Sequence, residues 1–325
     1  MQGKVRKGGI DGGVFGNKSP PRTGDAPFPF WGFVYNKKTM TDFGGAIRQS
    51  TDYDIALLGI PYDVKSSYMK GTAGGPFAIR HASTGLMTNE FAESGLSLEL
   101  DTAVVDLGDV DCSGDYDRVS SRIQEAVRAI LAKNAAPISM GGDHSVTYPL
   151  VKALAERYRP LDILHFDAHP DLYDELYDDP HSHACSFARI MEEGLAQNLV
   201  QVGIRAASKP QRENAAKYGV RWVEMKDIRD SLVFEFRNPL YISFDMDALD
   251  PAFAPGVSHL ESGGLTSRQA ITFIQMVKAR VIGADVVELN PVRDPLAITA
   301  AAAVKVIKEV AGKIAEGRRS SGRSL

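Results

Sequence analysis

The chain has 325 residues, 44% of them hydrophobic, with a formal net charge of −4. That length buries a sizeable core and fits one large α/β domain, while the mild acidity speaks against nucleic acid, which demands basic residues concentrated on one face. Two cysteines, Cys112 and Cys185, match no zinc spacing, and no run approaches the roughly 20 apolar residues of a membrane span, so small molecules are the expected partners.

Residues 1–50 are rich in Gly, Pro and aromatics, as in Ser19-Pro20-Pro21 and Phe28-Pro29-Phe30-Trp31, and show no periodicity. They read as an extended N-terminal arm lying on its own domain or on a neighbouring subunit, because its aromatics are costly to leave in water. The N-terminus shows no basic region followed by an apolar core, so the expected location is cytoplasmic, with both thiols free. From residue 51 short apolar runs alternate with helical patterns. Strands are predicted at 55–60, 103–107, 136–140, 163–166, 199–202, 240–244 and 281–287, and helices over 116–133, 145–158, 185–195, 208–218, 266–279 and 297–316. This rhythm predicts a single-domain, three-layer α/β/α sandwich over 51–316, with a mostly parallel central sheet and right-handed crossovers. Residues 317–325, small and basic, read as a disordered tail.

In such sheets the functional crevice lies beyond the carboxyl ends of the strands, and three ligand-rich segments fall there. They are Gly141-Gly142-Asp143-His144, Asp167-Ala168-His169-Pro170-Asp171 and Asp245-Met246-Asp247. On an extended backbone residues i and i+2 point the same way, so Asp245 and Asp247 can converge on one point, and Asp167, His169 and Asp171 repeat that spacing. Helix N-caps would account for Asp143 or Asp171, but a Pro-containing loop rather than a helix follows Asp245-Met246-Asp247. Four carboxylates and two imidazoles suit Mn²⁺ and admit Ni²⁺, Co²⁺ or Zn²⁺; without thiolates, a structural zinc is not expected. Two such ions about 3.5–4 Å apart would turn a shared water into hydroxide near neutral pH, so hydrolysis is the expected reaction class.

These segments, with Gly141-Gly142-Asp143-His144-Ser145, Ser243-Phe244-Asp245-Met246-Asp247-Ala248-Leu249-Asp250-Pro251 and Gly283-Ala284-Asp285-Val286-Val287-Glu288-Leu289-Asn290-Pro291, resemble the signatures of the ureohydrolases, the arginase and agmatinase family, in order from about residue 50 to 316. The resemblance implies two divalent metal ions per subunit, Mn²⁺ or Ni²⁺, and hydrolysis of a guanidinium carbon with release of urea or a substituted urea. His144 and Asp171 would bind one ion and His169 and Asp247 the other, with Asp167 and Asp245 touching both. It further implies that His183 relays protons and orients substrate and that Glu288 pairs with the guanidinium; His181, two residues from His183, is the alternative for that role. Assembly as a trimer or hexamer, homo-oligomeric or with a homologous subunit, is implied too.

The chemistry agrees. A guanidinium stays protonated until pH is above about 12 and its carbon is a poor electrophile, so it needs an activated nucleophile and an acid for the leaving nitrogen, a task for His183 or a proton passed through Asp171.

The chain departs from the arginase pattern where substrate tails are recognised. Leu172-Tyr173-Asp174-Glu175-Leu176-Tyr177-Asp178-Asp179 stands where arginases of the usual type have Asn and Ser for the substrate carboxylate, and Gly203-Ile204-Arg205-Ala206-Ala207-Ser208 lacks their Asp for the amino group. This disfavours free arginine. Tyr173 and Asp174 would instead attract a cationic or alkylated tail, which points first to agmatine, then to guanidine or alkylated biguanides. Pro255-Gly256-Val257-Ser258-His259 resembles plant arginases, which keeps arginine in play and makes His259 a candidate pocket residue; Tyr68 and Met69 are candidates to shape specificity. Outside this class stand a single-zinc deacetylase, which needs three ligands rather than six, and a non-catalytic subunit of a hetero-oligomer.

Overall fold

Strands with few exposed residues lie at the centre of the computed structural model, which describes residues 42–46, 51–84, 87–229 and 231–320. The predicted arm lies, apart from 42–46, outside the described residues, as do residues 321–325. In chain order the elements are β1 (Ile55–Ile60), α1 (Gly75–Ser83), β2 (Val104–Asp109), α2 (Tyr116–Ala132), β3 (Ala136–Gly141), α3 (Thr147–Arg157), β4 (Asp162–Phe166), α4 (Ser186–Glu192), β5 (Asn198–Ile204), α5 (Lys209–Tyr218), β6 (Arg221–Glu224), β7 (Leu240–Asp245), α6 (Ser267–Gln275), β8 (Val281–Val287) and α7 (Ile298–Ser320).

The strands form one sheet in the order β2-β1-β3-β8-β7-β4-β5-β6, with every neighbouring pair parallel. Helices cover both faces, which is why the central strands read as continuous apolar runs rather than alternating ones. Alternation still decides which layer each side chain enters. Leu164, Phe166, Ile242 and Phe244 pack with α1, α6 and α7. Ile163, Tyr241 and Ile282 pack with α2, α3, α4 and α5.

Local signals set the helices. Asp115 caps α2 by accepting the Arg118 N–H at 3.0 Å, and Val119, Ile123, Val127 and Ile130 then form its buried stripe. Thr266 and Gln269 close a capping box at the start of α6. Two elements escape the sequence reading. Gly74, Gly75 and Pro76 disguise the start of α1 as a loop, and β6 is a four-residue edge strand buried fully only at Val223. The last helix continues to Ser320, so the first residues of the predicted basic tail are helical.

Strands β3 and β4 are consecutive in sequence but separated in the sheet by β8 and β7. The chain builds outward through β1 and β2 on one side and through β5 and β6 on the other, leaving a crevice at the carboxyl ends of the four central strands.

Candidate functional site

Each of the four central strands delivers charged groups to that crevice. After β3, Gly142 passes so close to Tyr62 that a Cβ there would lie 1.8 Å from the Tyr62 carbonyl oxygen, which explains the Gly-Gly pair before His144. The His144 Nδ1 lies 3.2 Å from Asp167 Oδ2, 3.1 Å from Asp171 Oδ2 and 3.1 Å from Asp245 Oδ2. The His169 Nδ1 lies 3.4 Å from Asp167 Oδ1 and 3.1 Å from Asp247 Oδ2. All six residues predicted as metal ligands therefore come together in two adjoining sets, and Asp167 offers one oxygen to each. Asp245 joins only the set around His144; its other oxygen accepts the Asp247 N–H at 2.7 Å. Asp171 reaches its place from a left-handed backbone, φ 51°, a conformation held only where the surroundings enforce it.

The electrostatics of this cluster call for cations. Burial, with the charges of Asp247 and Asp167, drives the Asp245 carboxyl well above its ordinary value, and burial raises Asp247 too. Asp167 goes the other way: burial opposes its ionisation, but His165, His144 and His169 hold it well below the carboxylate range. Four buried carboxylates against two ligand imidazoles leave unbalanced negative charge, which two divalent ions would neutralise. The donors are all nitrogen and oxygen; Cys185 instead points its thiol at the Asp179 carbonyl, 3.7 Å away.

Partners behind the ligands fix their tautomers, and the sequence reading missed these. The His144 Nε2 lies 2.9 Å from Ser243 Oγ, which donates to Asp285 Oδ1 at 2.7 Å, so Nδ1 keeps its lone pair for an ion. Tyr241 and Thr147 donate to the other Asp285 oxygen. His165 accepts from Gln201 Nε2 at 2.9 Å through Nδ1 and so donates from Nε2 to Asp167 Oδ2 at 2.8 Å. His144, His165 and Asp167 are close enough to hold an ion. Burial keeps His165 neutral, however, and its one N–H already faces Asp167, which makes it an orienting group rather than a ligand. Arg205 donates to the carbonyls of Asp247 and Glu261, at 2.6 and 2.7 Å, and pins the loops that carry them.

Beside the candidate metal ligands, Glu288 follows β8 on a left-handed backbone, φ 61°. Its Oε1 accepts the His144 N–H at 2.9 Å and faces His183 Nδ1 at 2.9 Å, while Oε2 is buried with no hydrogen-bond partner among the described residues. Burial would lower the His183 imidazole, but the hydrogen bond and charge of Glu288, with Asp171 and Asp143, raise it to about 9. His259 stacks on His183 with ring centroids 5.5 Å apart and meets His169 edge-on at 5.5 Å, so it lines the same space; the Tyr68 ring lies 5.7 Å beyond it. His181 goes elsewhere, into a slot against Tyr116 and Tyr148. Asp174 is not brought to this group: its carboxylate is exposed and lies 4.0 Å from Arg189 of α4. Tyr173 is tied to the same segment through its N–H, which donates to the Ala184 carbonyl at 3.1 Å.

The sequence model described as the arginase family matches residues 53–312. The chain belongs to the arginase family. It is 43% identical over 288 residues to "Arginase 1, mitochondrial" of Arabidopsis thaliana, covering 84% of this chain and 83% of that protein. It is 38% identical over 274 residues to "Guanidino acid hydrolase, mitochondrial" of Homo sapiens, covering 79% and 77%. Among solved structures, the arginase from Medicago truncatula superposes with a TM-score of 0.77 at 40% identity, over 81% of this chain and 87% of that one. Arginase-family proteins are hydrolases of guanidino C–N bonds and use a binuclear metal centre, so this chain is an amidinohydrolase, and the two side-chain sets around His144 and His169 are the candidates to hold such a centre. One expectation is overturned: the cytoplasmic location does not stand against arginase-family relatives that are themselves named mitochondrial. No helix among the described residues is long and apolar enough to cross a membrane.

Proposed function

We propose that this enzyme hydrolyses arginine to urea and ornithine. The observation that carries the substrate is the 43% identity to a plant arginase across most of both chains. Two features of the site support it. Asp174, the residue expected to draw a cationic tail, lies over α4 at Arg189, and His259, from the segment that resembles plant arginases, faces both His169 and His183.

In this reading Glu288 Oε2 takes the planar guanidinium in a charge-assisted contact and sets its carbon over the metal ligands. Two divalent ions held by His144, Asp167, His169, Asp171, Asp245 and Asp247, with Mn²⁺ as the resident metal and Ni²⁺ as the alternative, would supply a water acidified to a nucleophile near neutral pH. His183 then protonates the departing nitrogen, for which its raised affinity for a proton suits it. His259 closes the pocket beside it. Assembly into a trimer or hexamer belongs to the same proposal.

A second reading, agmatine, rests on one specific observation: the acidic and aromatic segment Leu172–Asp179, which includes Tyr173 and Asp174, stands where the usual arginases have Asn and Ser for the substrate carboxylate. The test is urea or alkylurea release by the Mn²⁺- and Ni²⁺-loaded enzyme from arginine, agmatine, guanidinobutyrate, guanidine and dimethylbiguanide. Arginine is expected to give the highest kcat/KM. Preference for agmatine would transfer the tail contact to the acidic loop, and preference for guanidine or dimethylbiguanide would mean a pocket closed by Tyr68 and His259.

A further inference from the structure

His183 is only 7% exposed, and both its ring nitrogens are engaged. A histidine that gives a proton to the leaving amine must regain one in every cycle, so a buried one needs a path to solvent. Glu288, on the Nδ1 side, opens no path to solvent: it is itself buried, and its Oε1 is already shared between His183 Nδ1 and the His144 N–H. His259 presents a ring face at 5.5 Å rather than a nitrogen. Among the described residues the polar groups at Nε2 belong to Ser67 alone. Its hydroxyl lies 2.8 Å away and its backbone N–H 3.2 Å away, and the residue itself is exposed.

We propose that Ser67 is the proton relay between solvent and His183, a positioning residue that acts through the histidine. The two contacts serve its two protonation states. Neutral Nε2 has a lone pair, which the fixed Ser67 N–H can fill; protonated Nε2–H donates to Ser67 Oγ, whose hydroxyl rotates to receive it. In the transfer Oγ takes a proton from solvent as its own hydroxyl proton passes to Nε2, so one proton moves inward and Ser67 ends unchanged.

The loop carrying Ser67 is held for this task at both ends. Asp143 Oδ2 accepts the Lys65 N–H at 3.0 Å, and Lys65 Nζ pairs with Asp179 at 2.6 Å. Asp63 Oδ2 accepts the Gly71 N–H at 2.7 Å. Buried Asn290 donates from Nδ2 to the Met69 carbonyl at 2.9 Å. Asp143 and Asn290 lie in the motifs around His144 and Glu288, so the same segments that place the reacting groups also place the relay.

The inference rests on His183 as the general acid, and the experiment separates the two claims. Ser67→Ala, Ser67→Thr and His183→Ala are compared with the parent enzyme, all metal-loaded, in weak and in imidazole buffers. Acid–base groups contribute about 10²–10⁴-fold, and loss of a relay is expected to cost about tenfold or more in kcat, with KM within about twofold. Imidazole, a diffusible proton donor, is expected to restore much of the Ser67→Ala rate in a concentration-dependent way, and Ser67→Thr to keep most of the activity. Unchanged kcat in Ser67→Ala beside an inactive His183→Ala overturns the relay alone, as does a loss that imidazole leaves untouched. Full turnover by His183→Ala overturns the general-acid reading and the relay with it.

Discussion

Glu288 gives one carboxylate oxygen to His183 and withholds the other: Oε1 lies 2.9 Å from His183 Nδ1, while Oε2 is buried with no partner among the described residues. A buried acceptor left unsatisfied costs about 1–3 kcal/mol, which a docking guanidinium would offset. Glu288→Gln keeps the shape but removes the charge, and a hydrogen bond to a charged group is worth about 1.5–3 kcal/mol. Steady-state kinetics should therefore show kcat/KM reduced by about 10–150-fold. A change of less than about threefold, or under roughly 0.7 kcal/mol, would place the guanidinium elsewhere.

The two histidines of the Asp179–His183 segment should separate sharply. His183→Ala removes the group beside Glu288 and is expected to lower kcat by about 10²–10⁴-fold. His181→Ala empties a slot against Tyr116 and Tyr148 and should act mainly on thermal stability, with kcat changed by only a few-fold. Equal losses of kcat at both positions would show that the acid role is not His183's alone.

Arg80 anchors the edge of the sheet. Its side chain is 2% exposed, bonds both oxygens of Asp106 at 2.8 and 2.9 Å, and reaches Asp109 at 2.6 Å. Arg80→Met would leave two carboxylates without their cation, a loss of about 3–5 kcal/mol in chemical denaturation. Arg80→Lys should recover little, since an ammonium cannot span Asp106 with a fork. A midpoint unmoved by Arg80→Met would contradict the anchoring role.

Glu93 gives the fold a pH-dependent tie. Bidentate contact with Arg268, at 2.7 Å to each oxygen, and a bond from Gln275 lower its carboxyl from 4.5 to about 2. A depressed carboxylate stabilises the folded state above its unfolded value, so this contribution is present above about pH 4.5 and lost as pH falls toward 2. Solvent screening limits it to about 0.2–1 kcal/mol. Glu93→Gln should lower Tm slightly at pH 7, by less as the pH falls below about 4.5, and match the parent only near pH 2; a gap that widens in acid would reverse the sign.

What was legible in the sequence follows from how the chemistry is written along the chain. His144, Asp167, His169, Asp171, Asp245 and Asp247 crowd the ends of apolar runs, where an alternating backbone must bring them together, and the parallel sheet follows from the same runs. The orienting groups are hidden because they wear the pattern of ordinary strand residues: His165, Ser243 and Asp285 each sit inside a buried strand, and only the register between β7, β8 and β4 aligns them with their partners. Ser67 looks like any loop serine until Asp143 and Asn290 are seen to hold its loop. The position of Asp174 was not legible either: its charge is plain in the sequence, but not that its exposed carboxylate lies 4.0 Å from Arg189 rather than beside His183 and Glu288.

The binuclear site is tested most directly by titrating the metal-stripped protein with Mn²⁺ while following urea release from arginine. The account predicts no turnover without metal, a rise that levels off at two ions per chain, and loss of both bound metal and rate in Asp167→Asn, whose carboxylate serves both sets. Full activity at one ion per chain, or urea release that survives chelation, would contradict it.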